Sequence, residues 1–520
     1  MALAGACTTP PGRSLPSGFP DESPAPTTSA PTSIRLAVTA PASLDPRDLD
    51  TPDSLLVAAQ VFDGLVSYDP ATQALVPAAA ESWQMLDGGR RFVFHLRPGA
   101  TFHNGEPVRA QSFLTAWNRL ADPVNPKPFG FLLEHVEGFR QFQEELTVAS
   151  LPGVTVINDR TLEVRLSRPW VDFPAVLGHP ALSPVPPSAA TDLGYPRTAA
   201  GNGPYRLAAP LDAGESVLLQ RYEEYTGPPG AIPAVEFRSF DDPEQAWPAF
   251  LSGELDVAPI PATVLREAQS RFGDQGIRTL GRLLYCGFNQ EDPRFRSRAL
   301  RLAVSTAIDR DELAAEVFGG VAAPATGIVP PTIPGSGAQV CGDRCRVDAE
   351  QARGLAGSIP QKERRFALDY ASSPVGDRLT AALAAQLGEV GLHVTPRPHE
   401  EREFEDLLAQ RGQAMFCLVW VADYPRQQAL LEPLLASDSP DNHGGTSDAR
   451  IDALLTEARS RADTAARQSL YTEAERVALT AMHVVPVVWF RSHVAVQPYV
   501  QGFTIDPLAR YEVATLRVTP

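Results

Sequence analysis

Hydrophobic and polar residues alternate in short runs along much of the chain, and the stretches between these runs repeat hydrophobic residues at helical spacing. A period of two predicts β-strands, and recurrence at intervals of three and four residues predicts amphipathic helices. In the first half of the chain these patterns predict helices over 54–62 and 111–120. They predict strands over 34–38, 91–96, 161–166, 203–207 and 216–221.

The second half alternates strand and helix patterns more regularly. Predicted strands cover 283–288, 365–370, 392–396, 414–421 and 484–491. Predicted helices cover 297–318, 377–390, 447–461 and 465–480, with a loop rich in Gly and Pro over 319–337. Because strands alternate with helices, this half predicts parallel sheets covered by helices, which is an α/β fold.

Length and composition indicate a folded protein with more than one lobe. The chain has 520 residues, whereas a single hydrophobic core stops growing at roughly 250–300 residues. Hydrophobic residues make up 43% and charged residues 21% of the chain. No stretch approaches the ~20 consecutive apolar residues that a membrane helix needs.

The formal net charge is −17. An acidic surface repels phosphate backbones and anionic lipid headgroups, and no basic stripe interrupts it. Charge therefore argues against a nucleic-acid partner.

Five cysteines are present, and setting Cys7 aside leaves Cys286, Cys341, Cys345 and Cys417. An even number in an exported protein suggests two disulfides, whereas in the cytosol the same four would be buried thiols or a metal site. Cys341 and Cys345 are separated by three residues, not by the two of a zinc knuckle. This spacing favours a loop disulfide over two free thiols, and we expect no metal site.

The N-terminus has the pattern of a lipobox, Leu3-Ala4-Gly5-Ala6-Cys7, in which small residues precede a cysteine that becomes lipid-modified. A stretch rich in Pro, Ser and Thr follows, which predicts a disordered tether up to residue 33. No basic and apolar signal segment precedes the lipobox in this sequence. The alternative is an unmodified cysteine in a flexible tail.

Sequence patterns of catalytic sites are not found. No Gly-Lys pair of a P-loop, no G-x-S-x-G elbow and no H-E-x-x-H motif occurs, and the nine histidines are scattered. We therefore expect neither enzymatic activity nor a cofactor.

A series of short motifs extends in order along almost the whole chain. Those of the first half are Ser43-Leu44-Asp45-Pro46, Phe62-Asp63-Gly64-Leu65-Val66, Ala80-Glu81-Ser82-Trp83, Phe94-His95-Leu96-Arg97-Pro98-Gly99, Phe102-His103-Asn104-Gly105-Glu106-Pro107-Val108, Gly201-Asn202-Gly203-Pro204-Tyr205 and Ser252-Gly253-Glu254-Leu255-Asp256-Val257. The second half adds Phe288-Asn289, Ala307-Ile308-Asp309-Arg310 and Trp420-Val421-Ala422-Asp423-Tyr424-Pro425. This ordered set resembles the peptide-binding class of ABC-transporter solute-binding proteins. The segment His179-Pro180-Ala181-Leu182-Ser183-Pro184-Val185-Pro186 is more similar to the oligopeptide branch than to the dipeptide branch.

The resemblance implies a two-lobed, periplasmic-binding-protein-like clamshell of type II, with an extra small domain inserted in the N-terminal lobe. The expected organisation follows the chain: tether 1–33, lobe I 34–65, small domain 66–188, lobe I 189–283, lobe II 284–485 and a lobe I return segment 486–520. A peptide would lie between the lobes and be enclosed by hinge closure.

The resemblance also assigns ligand contacts. Asp423 would receive the α-ammonium group of the peptide, Trp420 and Val421 would offer backbone groups, and Asp50 would be a second acidic contact. Phe129 and Phe490 match cleft positions that are often tyrosine in relatives. The alternatives are a turn carboxylate for Asp423, a solvated loop acid for Asp50 and core packing for the aromatic residues.

One departure concerns the far end of the ligand. Relatives place basic residues in lobe II to meet a ligand carboxylate, but the matching positions here are Gly376, Leu408 and Cys417, with Arg378 near enough to substitute. The ligand could therefore be held differently at that end.

The cysteines of lobe II suggest one further feature. Cys286 and Cys417 fall on two predicted strands, and a disulfide between them would clamp the floor of the cleft if the strands are neighbours. The alternative is two buried apolar thiols.

The expected protein is a monomeric extracytoplasmic lipoprotein that delivers peptides to the permease subunits of an ABC importer, with no membrane contact beyond its lipid anchor. Two alternatives use the same fold. One binds a modified or non-peptide ligand, such as a glycopeptide, a siderophore-like compound or a cell-wall fragment. The other acts in the cell envelope as a non-transport partner protein.

Overall fold

The computed structural model describes residues 33–145 and 147–519, apart from the side chains of Pro243 and Glu244. The predicted lipobox with Cys7, and the tether except for Ser33, lie outside the described residues. The described chain divides into two compact units. The C-terminal unit is Arg278–Ser492, and the N-terminal unit comprises 33–277 and 493–519.

Twenty strands form the sheets of the described chain. In chain order they are β1 Ser33–Val38, β2 Val66–Tyr68, β3 Leu75–Pro77, β4 Ala80–Leu86, β5 Arg91–Leu96, β6 Val154–Asn158, β7 Thr161–Arg165, β8 Tyr205–Leu207, β9 Val217–Arg221, β10 Ala234–Ser239, β11 Val257–Pro259, β12 Thr279–Phe288, β13 Ala322–Pro324, β14 Arg365–Ala371, β15 His393–His399, β16 Met415–Val421, β17 Val484–Arg491, β18 Val494–Val496, β19 Val500–Gln501 and β20 Arg517–Val518.

Fifteen α-helices accompany these strands in the described chain. They are α1 Pro52–Val61, α2 Ala110–Leu120, α3 Phe139–Glu144, α4 Phe173–Val176, α5 Tyr195–Thr198, α6 Pro243–Leu251, α7 Leu265–Phe272, α8 Arg298–Ala307, α9 Arg310–Glu312, α10 Ala349–Gly357, α11 Pro374–Glu389, α12 Glu401–Ala409, α13 Gln428–Leu435, α14 Ala449–Ser460 and α15 Thr464–Ala481. Across the described ranges, none of them is long and apolar enough to span a bilayer.

The N-terminal unit is built on a six-stranded sheet with the order β18-β11-β1-β10-β9-β8. The central strand β1 buries alternate residues, Ile34, Leu36 and Val38, as its period-two pattern predicts. A separate four-stranded sheet, β4-β5-β7-β6, lies within the segment 66–188 that the sequence assigns to a small extra domain.

The C-terminal unit is built on a second six-stranded sheet, with the order β13-β17-β12-β16-β14-β15. Its central strand β12 is antiparallel to both neighbours, β16 and β17. β14 is parallel to β15 and β16. Residues 283–288 of β12 are buried, which fits a strand covered on both faces.

The observed strand directions show that the prediction of parallel sheets is wrong. Both six-stranded sheets are mixed, and the four-stranded sheet is antiparallel throughout. β4 and β5 are separated by only four residues, and so short a connection can join only antiparallel neighbours. Hydrophobic periodicity carries no information on strand direction.

The helix predicted over 297–318 is also wrong as a single element. α8 ends at Ala307, and the backbone of Ile308 is extended at φ −80° and ψ 116°. Asp309 then caps a new turn, because its Oδ1 accepts the backbone N–H of Glu312 at 3.0 Å. The predicted loop over 319–337 contains the short strand β13.

The unit boundaries differ by a few residues from the predicted lobe boundaries. The C-terminal unit is Arg278–Ser492, so the predicted boundaries after residues 283 and 485 fall inside β12 and β17. The assignment of the remaining segments to lobes stays a prediction.

Two disulfides join the four cysteines of the C-terminal unit. Cys286 of β12 bonds to Cys417 of β16, directly opposite in the register, and Cys341 bonds to Cys345. These are the two pairs that the sequence suggests. The first closes a sequence separation of 131 residues and the second a separation of 4.

Glu475 of α15 fixes the loop that follows β13. Its Oε1 accepts the backbone N–H groups of Ile328 and Val329 at 2.5 and 3.1 Å. A Cβ at Gly327 would come within 2.7 Å of this oxygen. Further along the loop, the hydroxyl of Thr332 donates to the carbonyl of Thr279 at the start of β12, at 2.9 Å. The buried carboxylate thus holds this loop beside the central strand.

The Glu475 carboxyl group is fully buried, and its Oε2 has no hydrogen-bond partner among the residues that the structure describes. Burial raises its pKa to about 7, although the two backbone N–H groups act in the opposite direction.

Removal of the Cys286–Cys417 bond should destabilise the protein more than removal of the Cys341–Cys345 bond. In the chain-entropy model the long loop contributes about 5 kcal/mol and the short one about 2 kcal/mol. Urea unfolding of the double variants Cys286→Ala/Cys417→Ala and Cys341→Ala/Cys345→Ala measures both losses. An equal or larger loss for the second variant would contradict this expectation.

Glu475→Gln should become more stable relative to wild type as pH rises. The native pKa lies above that of the unfolded chain, so the native state binds more protons between about pH 4.5 and 7. This contribution is complete below pH 4.5 and is lost as pH rises through about 7. Relative to wild type, the variant should gain on the order of 2–3 kcal/mol between pH 5 and pH 8. Urea unfolding at both pH values measures the difference, and parallel pH profiles would contradict the assignment.

Candidate functional site

The C-terminal unit brings together four of the six residues that the sequence predicts as ligand contacts. Trp420 and Val421 end strand β16, and Asp423 follows two residues later. Phe490 is in β17, and β12 lies between these two strands. Because Val421 is opposite Arg282 and Trp489 is opposite Leu283, all four lie near the beginning of β12.

The register of β12 and β16 determines where the backbone groups of β16 point. Opposite residues in an antiparallel pair alternate between exchanging two hydrogen bonds, at a Cα separation of about 5.5 Å, and exchanging none, at about 4.5 Å. Cys286 and Cys417 are opposite at 4.0 Å, so they are a non-bonded pair. Val419 and Val421 follow at steps of two and are also non-bonded. Their backbone N–H and C=O groups therefore point away from β12.

The other side of β16 has little strand cover. β14 pairs with β16 only at Met415 and Phe416. Within the described ranges, no strand pairs with residues 417–421 on that side. The outward backbone groups of Val419 and Val421 therefore have no strand partner in the described part of the chain, as at the edge of a sheet.

Trp420 and Val421 differ in the direction of their backbone hydrogen-bonding groups. Trp420 is a hydrogen-bonded partner of β12 in this register, and its Nε1 donates to the carbonyl of Ala429 at 2.8 Å. This hydrogen bond joins its half-buried ring to α13. Val421 is 40% exposed, and its backbone points outward. Of the two, Val421 has the geometry of a backbone contact.

Asp423 is half-buried in the turn after β16. The turn is fixed on both sides, because Ala422 donates its N–H to the carbonyl of Gly281 at 2.8 Å and Tyr424 is buried. The carboxylate thus lies at the end of the strand edge formed by Val419 and Val421. A carboxylate in this position can form charge-assisted hydrogen bonds with a cation.

Phe490 is half-buried, and its ring packs edge-on against Phe318 with the centroids 5.5 Å apart. The guanidinium of Arg282 lies 4.7 Å from the Phe490 ring centroid. Burial lowers the pKa of this guanidinium. The sequence prediction did not include Arg282. A basic residue directly before the apolar run 283–288 was the signal that could have identified it.

The two remaining predicted contacts are in the N-terminal unit. Asp50 is exposed, and its backbone N–H donates to the Ser54 hydroxyl at 3.2 Å. Phe129 is only 2% exposed and packs against His179, with the ring centroids 4.4 Å apart. The surroundings of Phe129 are those of a core residue, and a ligand role for either residue stays a prediction.

Asp45 shows that part of the motif set is structural. It is fully buried, and it accepts two hydrogen bonds from the Arg119 guanidinium, at 2.6 and 3.1 Å. A bidentate pair of this kind links the Leu-Asp-Pro motif to α2.

The positions matching the basic residues of relatives have other roles. Leu408 is buried, Cys417 is in the disulfide, and Gly376 donates its N–H to Ser373 near the start of α11. Arg378 is exposed on α11. None of the first three offers a charge to a ligand carboxylate.

Comparison with known proteins gives a family match and close structural likeness. Residues 74–442 match the family described as bacterial extracellular solute-binding proteins, family 5. A probable deoxycholate-binding periplasmic protein of Escherichia coli is 29% identical over 480 residues, which cover 89% of each chain. A periplasmic oligopeptide-binding protein of Salmonella typhimurium is 28% identical over 498 residues, which cover 92% of this chain and 90% of the relative.

A solved structure of a periplasmic murein tripeptide-binding protein, in its unliganded open form, superposes with a TM-score of 0.81. The identity is 23%, and the match covers 97% of this chain and 99% of the other. At this identity the likeness concerns the fold. It confirms the predicted fold class, an α/β fold like that of type II periplasmic binding proteins.

Proposed function

Since the chain belongs to family 5 of the bacterial extracellular solute-binding proteins, we propose that it captures extended peptides outside the cytoplasm and delivers them to an ABC importer. Binding rather than catalysis is the activity. The observation that carries the proposal is the uncovered edge of β16, with outward backbone groups at Val419 and Val421 and a carboxylate, Asp423, at its end.

A peptide in extended conformation can pair with such an edge as an additional strand. The hydrogen bonds of strand addition use only main-chain groups, so they do not depend on the peptide sequence. Side chains would alternate above and below the added strand, where water can fill the space around side chains of different shapes. In the proposed binding mode the peptide forms hydrogen bonds with the backbone of Val421, and the ring of Trp420 lies beside the peptide.

Asp423 would fix the direction in which the peptide binds. An α-ammonium group offers three donors, and a half-buried carboxylate at the end of the edge accepts them with charge assistance. The peptide would then bind with its amino end at the turn 422–425.

The relatives support this choice of ligand, with one alternative. The Salmonella relative is named for oligopeptides, and the solved structure is named for a murein tripeptide. The Escherichia coli relative is named for deoxycholate, which has a carboxylate and no amine. The carboxylate of Asp423 repels an anion, and this favours the peptide over a bile acid at this edge.

Attachment and delivery belong to the same proposal. A lipid on Cys7, followed by a Pro/Ser/Thr tether, would keep the monomeric protein at the outer face of the membrane near the permease subunits of its importer. The order of small residues before Cys7 supports this attachment. Stable attachment by acyl groups needs a second chain beside the first.

Asp423→Asn should weaken binding of peptides with a free amine by roughly 30-fold or more, because a hydrogen-bonded charge contributes about 2–3 kcal/mol. Isothermal calorimetry with tetra-alanine and its N-acetylated form measures this. Acetylation should weaken wild-type binding similarly and have little effect on the variant.

The matched control is Asp406→Asn, which removes an exposed carboxylate of α12 in the same unit and should bind as wild type does. Equal wild-type affinity for free and acetylated peptides would contradict the amine contact. Binding of deoxycholate but of no peptide would contradict the proposed function itself.

Val421→Pro should weaken peptide binding about tenfold. Proline lacks the N–H that the added strand would use, while the sheet loses no hydrogen bond because this N–H points away from β12. Val421→Ala keeps the N–H and should bind nearly as wild type does. Calorimetry gives the affinities and thermal unfolding checks the fold. Similar affinities for the Pro and Ala variants would argue against strand addition at β16.

A further inference from the structure

The positive charge of Arg282 has no acidic or hydrogen-bonding partner in the part of the chain that the structure describes. Its Nε is buried and has no hydrogen-bond partner there, and no ion pair between described residues includes the guanidinium. Its observed neighbour is the ring of Phe490, at 4.7 Å from the guanidinium carbon to the centroid. Arg282 itself is half-buried.

Two other buried arginines of the same unit, Arg301 and Arg310, have hydrogen-bond partners. Arg301 donates to the carbonyls of Phe295, Ala481 and Met482. Arg310 donates to the carbonyls of Pro486, Ser305 and Ile308. These carbonyls replace the water that burial removes.

At the buried Nε of Arg282, the ring of Phe490 replaces little of the hydration that burial removes. A cation–π contact stabilises a guanidinium less than the hydrogen bond that this buried nitrogen gives up. Consistently, burial lowers the pKa of the guanidinium. An anion from outside the chain would relieve this imbalance, and the planar guanidinium suits a carboxylate that it can bind with two hydrogen bonds.

Arg282 lies between two positions of the candidate site. It is directly opposite Val421 in the register, so their side chains share one face of the sheet. On its other side it contacts Phe490. Strand spacing places the Cα atom of Arg282 about 8 Å from that of Asp423, a distance that two to three residues of an extended peptide span.

We propose that Arg282 binds a carboxylate of the ligand that lies within about three residues of its amine. The carboxylate is either an acidic side chain near the amino end or the C-terminal carboxylate of a di- or tripeptide. The assignment rests on the proposed function, since the amine at Asp423 sets the distance. Arg282 would also provide a positive charge for the ligand, which Gly376, Leu408 and Cys417 do not.

Two pairs of peptides test the assignment by calorimetry. Ala-Glu-Ala-Ala-Ala amide against Ala-Gln-Ala-Ala-Ala amide tests the side-chain source, and Ala-Ala-Ala against its amide tests the C-terminal source. Wild type should prefer the carboxylate in at least one pair by about tenfold or more. Arg282→Gln should lose this preference while still binding the neutral peptides, and Arg282→Lys should keep part of it.

Arg397→Gln is the matched control, because it removes an exposed charge on β15, at the far edge of the same sheet. It should keep the full preference. Thermal unfolding separates a ligand role from a structural one: Arg282→Gln should unfold at the same or a higher temperature, because the substitution removes a poorly hydrated charge and, within the described chain, loses only the contact with the Phe490 ring.

Wild type that binds all the peptides with no carboxylate preference would overturn the assignment and leave the proposed function intact. A preference that survives in Arg282→Gln would overturn it equally. Wild type that binds none of these peptides would overturn the proposed function and the assignment with it.

Discussion

The pairing register of β12 against β16 is the constraint on which the candidate site depends. Seven residue pairs define it, from Arg282 opposite Val421 to Phe288 opposite Met415, and the Cys286–Cys417 disulfide fixes it covalently. Because side chains alternate between the two faces of a strand, a slip of one residue would turn every side chain of β16 to the opposite face. The same slip would turn the outward backbone groups of Val419 and Val421 inward. The disulfide therefore fixes the direction of hydrogen-bonding groups as well as adding stability.

Main-chain and charged groups have separate tasks in this arrangement. In the proposed binding mode, the edge of β16 would supply hydrogen bonds that any extended peptide can use, and Asp423 and Arg282 would add two opposite charges at defined positions near one end. Sequence tolerance and a fixed orientation would then come from different atoms of the same strand pair. A ligand with an amine and a nearby carboxylate matches both charges, and one with a carboxylate alone meets repulsion at Asp423.

Much of the fold and part of the site were predictable from the sequence, for reasons that particular residues make clear. The ordered motifs identified the fold class, and the strand patterns around Cys286 and Cys417 placed these residues on strands that are indeed neighbours. Asp423 was predicted as a ligand contact because the motif Trp420–Pro425 marks it, and that role stays a prediction. By contrast, the strands β2, β3 and β11 have three residues each, too few to produce a visible period. The break at Ile308 depends on capping by Asp309, which the helical spacing of Leu300, Val304 and Leu313 conceals.

The sequence shows a basic residue at position 282 directly before an apolar run, but it does not show that its guanidinium lacks an acidic partner among the described residues, because that depends on tertiary packing. The sequence also could not show that the backbone groups of Val421 point outward and those of Trp420 point toward β12. That direction follows from the pairing register, which hydrophobic periodicity does not give. Phe129 matched a cleft position in sequence, yet its ring is packed against His179 in the core.

A crystal structure of the protein bound to tetra-alanine tests the central claim most directly. We predict an extended peptide along residues 417–421, with main-chain N···O distances of about 2.7–3.2 Å to Val419 and Val421 and its amine on the carboxylate of Asp423. A peptide bound elsewhere in the protein, with the edge of β16 unoccupied, would contradict the claim.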